Sequence, residues 1–363
     1  MANNFNLEAL VRNNIRTLEP YSSARSDFDK TDKEYIYLDA NENSYGSVLG
    51  NGFNRYPDPL QKKVRKKIAK MKLIDPAQVF LGHGSDEAVD LLFRVFCRPA
   101  LDRVIICPPT YGMYQVSAAI NEAGIVEVPL DAGFDLDVNA ILGNVDPSTK
   151  LIFACSPNNP TGNCMSKDRM VQILENFNGL LVVDEAYIDF TDHEKSMVKE
   201  ISNYPNLVIL QTFSKAWGLA GLRAGMAIAS PEIVKLMDSV KPPYNMNQSC
   251  INLLGRAVEE RHMLKRMVKE INEQREYLIS ELKNISCVRK IFPSEANFIL
   301  FQVDDAEERY NQLLYNGFVL RDRSNLVGCD QCLRLTVGTD EDNKQLVRCL
   351  KTWNAIDEMF ESS

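Results

Sequence analysis

The chain reads as an α/β protein, with a large domain built on a mostly parallel sheet sandwiched by helices and a smaller α+β domain after it. Three observations carry this reading. From Val79 to Ala229 short apolar runs alternate with helical patterns, which means a mostly parallel sheet covered on both faces. Pro242-Pro243 then interrupts the pattern and ends the large domain. Beyond it, a long helical stretch from about Asn252 to Lys283 leads to strand-like Phe298-Ile299-Leu300-Phe301, Phe318-Val319-Leu320 and Leu333-Arg334-Leu335-Thr336-Val337.

In chain order, the basic run Gln61-Lys62-Lys63-Val64-Arg65-Lys66-Lys67-Ile68 reads as a helix with one solvated face, because Leu60, Val64 and Ile68 recur at helical spacing. The strand-like Val79-Phe80-Leu81 passes through Gly82-His83-Gly84-Ser85-Asp86-Glu87 into an amphipathic helix carrying Val89, Leu92, Phe93 and Phe96. Further strands are expected at Val104-Ile105-Ile106, Ile125 to Val128, Leu151 to Ala154, Leu180 to Val183, Leu207 to Leu210 and Ala224 to Ala229. Ser166 is the expected N-cap of a helix carrying Met170, Ile173 and Leu174. No internal repeat or low-complexity tract is evident.

With 363 residues, 45% hydrophobic and 25% charged, the chain can bury a sizeable core and is long enough for two domains. A net charge of −8 argues against a general nucleic-acid surface, so an anion site has to be a local group of arginines in a cleft. No apolar stretch has membrane-spanning length and the first residues lack a signal-peptide core, so the expected location is cytoplasmic, with no membrane partner. Nine cysteines, mostly in apolar runs, read as reduced core thiols. Cys329-Asp330-Gln331-Cys332 has half-zinc-site spacing, but with no second pair nearby and only His83, His193 and His262 in the chain, no metal is expected.

The chemistry is concentrated in a few segments. Lys215 lies in Thr212-Phe213-Ser214-Lys215-Ala216-Trp217-Gly218, downstream of Asp184 at the end of the apolar run Leu180-Leu181-Val182-Val183. A lysine that can form a Schiff base and an aspartate that can hold a pyridinium nitrogen together suggest pyridoxal 5'-phosphate as cofactor. The helix start at Gly84, Ser85 and Asp86 offers free backbone N–H groups for the cofactor phosphate, and Arg223 adds a fixed charge. Cys107-Pro108-Pro109-Thr110-Tyr111 and Ser156-Pro157-Asn158-Asn159-Pro160-Thr161-Gly162 follow β-rich runs and would place an aromatic face and an amide at the strand ends.

The order and spacing of these blocks resemble the fold-type I aminotransferases, most closely those acting on histidinol phosphate. Leu10 to Tyr21, Leu38-Asp39-Ala40-Asn41-Glu42-Asn43, Asn54-Arg55-Tyr56-Pro57-Asp58 and Cys332 to Gly338 are also similar to that family's blocks. The resemblance implies a seven-stranded large domain (46–245), a small domain (246–363) joined by the N-terminal segment (1–45), an active site in the cleft between domains, and a homodimer. It implies amino transfer from L-histidinol phosphate to 2-oxoglutarate in histidine biosynthesis. An aromatic or broad-range aminotransferase and a threonine-phosphate decarboxylase share the architecture and stay open as alternatives. A dinucleotide enzyme does not, because Gly82-His83-Gly84-Ser85-Asp86-Glu87 lacks the third glycine.

Residue by residue, the family pattern makes Lys215 the covalent anchor and proton carrier. A surface lysine after a strand is its ordinary reading when taken alone. Asp184 would stay ionised beside a cation and keep the ring nitrogen protonated. Asn159 and Tyr187 would bond the ring oxygen, and Tyr111 would stack on the ring. Ser85, Asp86, Thr212, Ser214 and Arg223 would cup the phosphate, with Asp86 acting through its N–H and as a helix cap, its carboxylate turned away. Arg334 and Arg321 match substrate-anion arginines, Tyr21, Asn41 and Tyr244 belong to the substrate side, and Tyr56 matches a tyrosine that reaches the neighbouring subunit's cofactor. Trp217 departs from the family's frequent phenylalanine.

Overall fold

The computed structural model describes residues 5–19, 21, 36–50 and 52–361. Pro20 of the N-terminal block and residues 22–35 lie outside them. All seven expected runs of the large domain form strands: β1 (Val79–Gly82), β2 (Arg103–Ile106), β3 (Gly124–Glu127), β4 (Thr149–Cys155), β5 (Leu180–Asp184), β6 (Leu207–Thr212) and β7 (Gly225–Ile228). They make one sheet in the order β1-β7-β6-β5-β4-β2-β3. Only β7 runs against its neighbours, β1 and β6; the other pairs are parallel. The loops that follow β1, β2, β4, β5 and β6 therefore gather at one edge of the sheet.

The central strands are apolar without a break because both faces are covered. Leu181, Val183, Leu207 and Ile209 point to a core shared with Val64, Ile68, Met170, Ile173 and Leu254. Their alternates Leu180, Val182, Val208 and Leu210 point to a second core, with Leu92, Phe93, Phe96, Tyr114 and Met237. The basic run belongs to helix Lys62–Lys72, whose buried face carries Val64 and Ile68. Arg65 departs from the expected solvated face: it is buried and holds both Asp238 oxygens at 2.7 Å, because an isolated guanidinium there would be unpaired. Ser166 does occupy the N-cap of helix Lys167–Asn176, but its side chain makes no capping bond.

The helical stretch expected after Pro242-Pro243 is two helices, Gln248–Glu259 and Arg261–Leu282, parted at Glu260. The first packs on the large sheet, while Leu278 and Leu282 of the second enter the small-domain core. That core covers one face of a four-stranded antiparallel sheet, β8 (Val288–Ile291), β9 (Phe298–Val303), β10 (Arg321–Asp322) and β11 (Cys332–Thr336), in the order β10-β11-β9-β8. Phe318-Val319-Leu320 is not a strand; pairing begins only at Arg321. The described N-terminal helices do not join the small domain as the resemblance implies. Leu10 and Val11 are buried in the second large-domain core, and the Arg12 N–H donates to the Val95 carbonyl at 3.1 Å.

A small cluster joins the domains: Tyr187, Phe190 and Ala216 pack with Ala296 and Phe298. Phe298 meets the Tyr187 ring edge-on at 5.0 Å. All nine cysteines are free thiols, and seven of them are buried, Cys329 and Cys332 included.

β7 lies so close to the start of helix Ser85–Phe96 that a Cβ on Gly225 would fall 2.2 Å from the Ser85 nitrogen and 2.3 Å from the Gly84 carbonyl carbon. Backbone must move to admit it. We expect Gly225→Ala to cost about 1–3 kcal/mol in urea unfolding. Gly143→Ala, where nothing lies within 4 Å, should leave stability unchanged or raise it by up to about 1 kcal/mol.

Candidate active site

At the carboxyl edge of the large sheet lies a cavity of about 150 Å³. Gly84, Ser85, Asp86, Tyr111, Asn159, Asp184, Tyr187, Thr212, Ser214, Lys215 and Arg223, all singled out in the sequence, line it together with Cys155 and Ala186. The strand order explains the convergence, since β1, β4, β5 and β6 end at this edge and Arg223 lies two residues before the start of β7.

Asp184 ends β5 and is buried. The Tyr114 hydroxyl donates to its Oδ2 at 2.8 Å and the Ala186 N–H to its Oδ1 at 3.0 Å. Burial nevertheless pushes the carboxyl up to about 6, with Asp86 adding to the rise while the two hydrogen bonds and the Lys215 charge oppose it. A cation does lower Asp184 as the sequence suggests, but here desolvation is the larger effect.

Lys215 opens on the same cavity, its Nζ 5.4 Å from the centre of the Tyr187 ring. Partial desolvation, with the Arg334 charge next, holds it below the ordinary lysine range; Asp184 and Asp86 pull the other way. A depressed lysine is a better nucleophile, because more of it is neutral.

Donors converge at the opposite end. Gly84 is the N-cap of helix Ser85–Phe96, has φ 76° and offers no capping side chain, which leaves first-turn N–H groups available. The Thr212 and Ser214 hydroxyls lie 3.0 Å apart, and the Arg223 Nη1 donates to the Ser214 Oγ at 3.4 Å. Asp86 departs from its expected role. Gly84 is the cap, and the Asp86 carboxylate turns into the site, where it accepts from the Tyr111 hydroxyl at 3.2 Å and lies 3.8 Å from the Arg223 Nη2. A guanidinium and a hydroxyl donor draw it there.

Arg334, on β11, reaches across from the small domain to donate through Nη1 to the Asn159 Oδ1, and its guanidinium lies over the Phe298 ring at 5.3 Å. Arg321 stands directly opposite it on β10 and is exposed.

Residues 33–350 match the family model described as aminotransferase class I and II. The chain belongs to this family. The aminotransferase is 48% identical over 349 residues to the histidinol-phosphate aminotransferase of Cytophaga hutchinsonii, covering 96% of this chain and 99% of that one. Its fold is similar to the crystal structure of the histidinol-phosphate aminotransferase from Clostridium acetobutylicum (TM-score 0.77, 26% identity, 83% of this chain and 90% of that one). It is also similar to the Sinorhizobium meliloti histidinol-phosphate aminotransferase, solved in complex with pyridoxal-5'-phosphate (TM-score 0.75, 23% identity, 82% of each chain).

Not every selected residue of the aminotransferase reaches the cavity. Tyr21 is largely exposed and lines a separate groove with Leu60 and Leu236; Asn41 is exposed, with φ 56°. Tyr56 is half exposed and stacks on Tyr244 at 4.5 Å, outside the cavity within one chain. Sequence reasoning missed Tyr114, in helix Met113–Ile120, for which the chain carries no local signal, and Asn158. Fully buried, Asn158 donates to the Pro109 carbonyl and the Thr161 Oγ1, both at 2.8 Å, and so ties the loop after β2 to the loop after β4. Trp217 is accommodated: its Nε1 donates to the Asp189 Oδ2 at 3.0 Å, and its ring meets Phe213 edge-on.

The raised Asp184 gives a pH signature. Its folded value, about 6, lies above the ordinary 3.8, so the folded chain holds the proton more tightly. Stability should fall as pH rises from about 4 to 6 and stay level above, a loss of about 2–3 kcal/mol at roughly 1.4 kcal/mol per pKa unit. In urea unfolding of the cofactor-free protein, Asp184→Asn should gain on the wild type across that window. A difference independent of pH would contradict the burial of a charge at this position.

Proposed function

We propose that the chain transfers the amino group of L-histidinol phosphate to 2-oxoglutarate, giving imidazole acetol phosphate and L-glutamate in histidine biosynthesis, with pyridoxal 5'-phosphate as cofactor. The observation that carries this is the full-length likeness to a histidinol-phosphate aminotransferase at 48% identity. The site fits the cofactor. Its cup is made of N–H, hydroxyl and guanidinium donors suited to a phosphate, and a buried acceptor, Asp184, is suited to a protonated ring nitrogen. When bound, pyridoxal 5'-phosphate supplies a carbonyl for the amino group and an electron-poor ring that spreads the charge left at the substrate carbon.

The protein's part follows from position. Lys215 would hold the cofactor, and its amine would be the group that moves a proton at the amino-bearing carbon. Asp184, steadied by Tyr114, would keep the ring nitrogen protonated. Tyr111 would pack on the ring face, and Asn159, whose Oδ1 is occupied by Arg334, would offer its Nδ2 to the ring oxygen together with the Tyr187 hydroxyl. Arg334 and Arg321 receive the anionic end of either substrate, because a guanidinium fork pairs with phosphate or carboxylate.

We further propose that the chain works as a cytoplasmic homodimer on small-molecule substrates, with no nucleic-acid or membrane partner. Tyr56 then reaches the cofactor phosphate of the neighbouring subunit, while Tyr21, Asn41 and Tyr244 belong to the substrate side. We also propose the division into an N-terminal segment (1–45), a large domain (46–245) and a small domain (246–363), although helix Gln248–Glu259, within the last range, packs on the large-domain core.

Lys215→Ala should abolish covalent cofactor retention and lower the rate at least about 10²–10⁴-fold. Borohydride reduction followed by peptide mass spectrometry should find the adduct on Lys215, and an adduct on another lysine would refute the assignment. Among amine donors assayed with 2-oxoglutarate, histidinol phosphate should give the highest kcat/KM; phenylalanine or tyrosine equalling it would replace this reading by an aromatic aminotransferase. Sedimentation should give a dimer, and Tyr56→Phe should weaken cofactor retention without abolishing it.

A further inference from the structure

The small sheet turns one face toward the cavity, and that face carries three arginines. Arg321 and Arg334 are directly paired between β10 and β11. The ladder continues past the end of β10, because the Arg323 N–H donates to the Cys332 carbonyl at 2.8 Å. Residues two apart on a strand share a face, so Arg323 stands beside Arg321 and diagonally across from Arg334. Of the two, Arg323 is the more enclosed and acts more strongly on the charge of Arg334.

Among the described residues, none of the three has a carboxylate partner. Asp322, between the two β10-side arginines, has its Oδ1 engaged by the Ser324 N–H at 2.8 Å and hydroxyl at 2.6 Å. Arg323 and Arg334 each bury an Nε without a hydrogen-bond partner. Arg12, Arg65 and Arg275 do the same, but there, as in Arg334, at least one terminal nitrogen is hydrogen-bonded. The Arg323 guanidinium bonds to nothing among the described residues. Unpaired, partly buried like charges are costly unless an anion completes them.

A carboxylate has two oxygens and one charge, which two guanidinium forks satisfy. A phosphate monoester has three terminal oxygens and nearly two charges. We propose that Arg323 is the residue that reads this difference, the third guanidinium through which the site prefers a phosphate-bearing amine donor over a dicarboxylate. The inference rests on the reading that the donor is a phosphate monoester.

The test compares holoenzyme wild type, Arg323→Gln and Arg323→Lys, each with L-histidinol phosphate and with L-glutamate as donor, and measures inhibition by inorganic phosphate against glutamate. We expect Arg323→Gln to lower the ratio of kcat/KM for histidinol phosphate to that for glutamate by about tenfold or more, chiefly through KM. The inhibition constant for phosphate should rise by a similar factor, and Arg323→Lys, which keeps the charge and loses the fork, should fall between. Equal losses for both donors, or an unchanged inhibition constant, would overturn the proposal. If Arg323→Gln does not fold, the same donor asymmetry in Arg323→Lys decides. If the wild type rejects histidinol phosphate, the functional reading fails, and the phosphate inhibition comparison alone judges Arg323.

Discussion

A carboxylate is held at the buried end of a central strand, and much of the site is arranged around it. Asp184 sits where water cannot solvate it, so it needs donors fixed in advance; the Tyr114 hydroxyl and the Ala186 N–H supply them. Tyr114 in turn is clamped by packing, stacked on Phe153 at 4.7 Å and edge-on to Tyr111 at 5.5 Å. Tyr111 reaches Asp86, and Asp86 faces Arg223. One chain of contacts thus links the acceptor end of the cavity to its donor end, and the same chain fixes the aromatic wall between them.

The large domain was legible because its signal is local. Each strand is a short apolar run with both faces covered, and a parallel order leaves the carboxyl ends at one edge whatever the helices do in detail. Residues at those ends, such as Asp184, Thr212 and Asn159, could therefore be chosen from their place in a run. Lys215 and Arg223 needed the resemblance as well, since a lysine or an arginine after a strand is commonplace. What the sequence concealed depends on contacts between distant segments. Nothing near Tyr114 signals that its hydroxyl meets a carboxylate seventy residues away. Asn158 and Asn159 look alike in the chain, yet one is a buried tie between loops and the other a partner of Arg334.

Edges were the other weak point. Phe318-Val319-Leu320 has strand composition, but pairing starts only at Arg321, and the N-terminal helices follow their apolar residues onto the large domain. Tyr21 and Tyr244 fall outside the cavity of a single chain, a result that neither composition nor spacing could foresee. Asp86 illustrates a different failure. Its position in the first helical turn suggests service to the backbone, whereas its carboxylate follows the strongest local charge, Arg223.

The cluster of Tyr187, Phe190, Ala216, Ala296 and Phe298 lies between the two domains and also beneath the reacting groups. Ala216 adjoins Lys215, and Phe298 supports both the Tyr187 ring and the Arg334 guanidinium. A contact placed there ties the two domains together. If the small sheet moved to carry the arginines toward an anion, the contact of Phe298 with the Tyr187 ring would pass that movement to the ring beside the lysine, and capture of a substrate would be coupled to alignment of the amine.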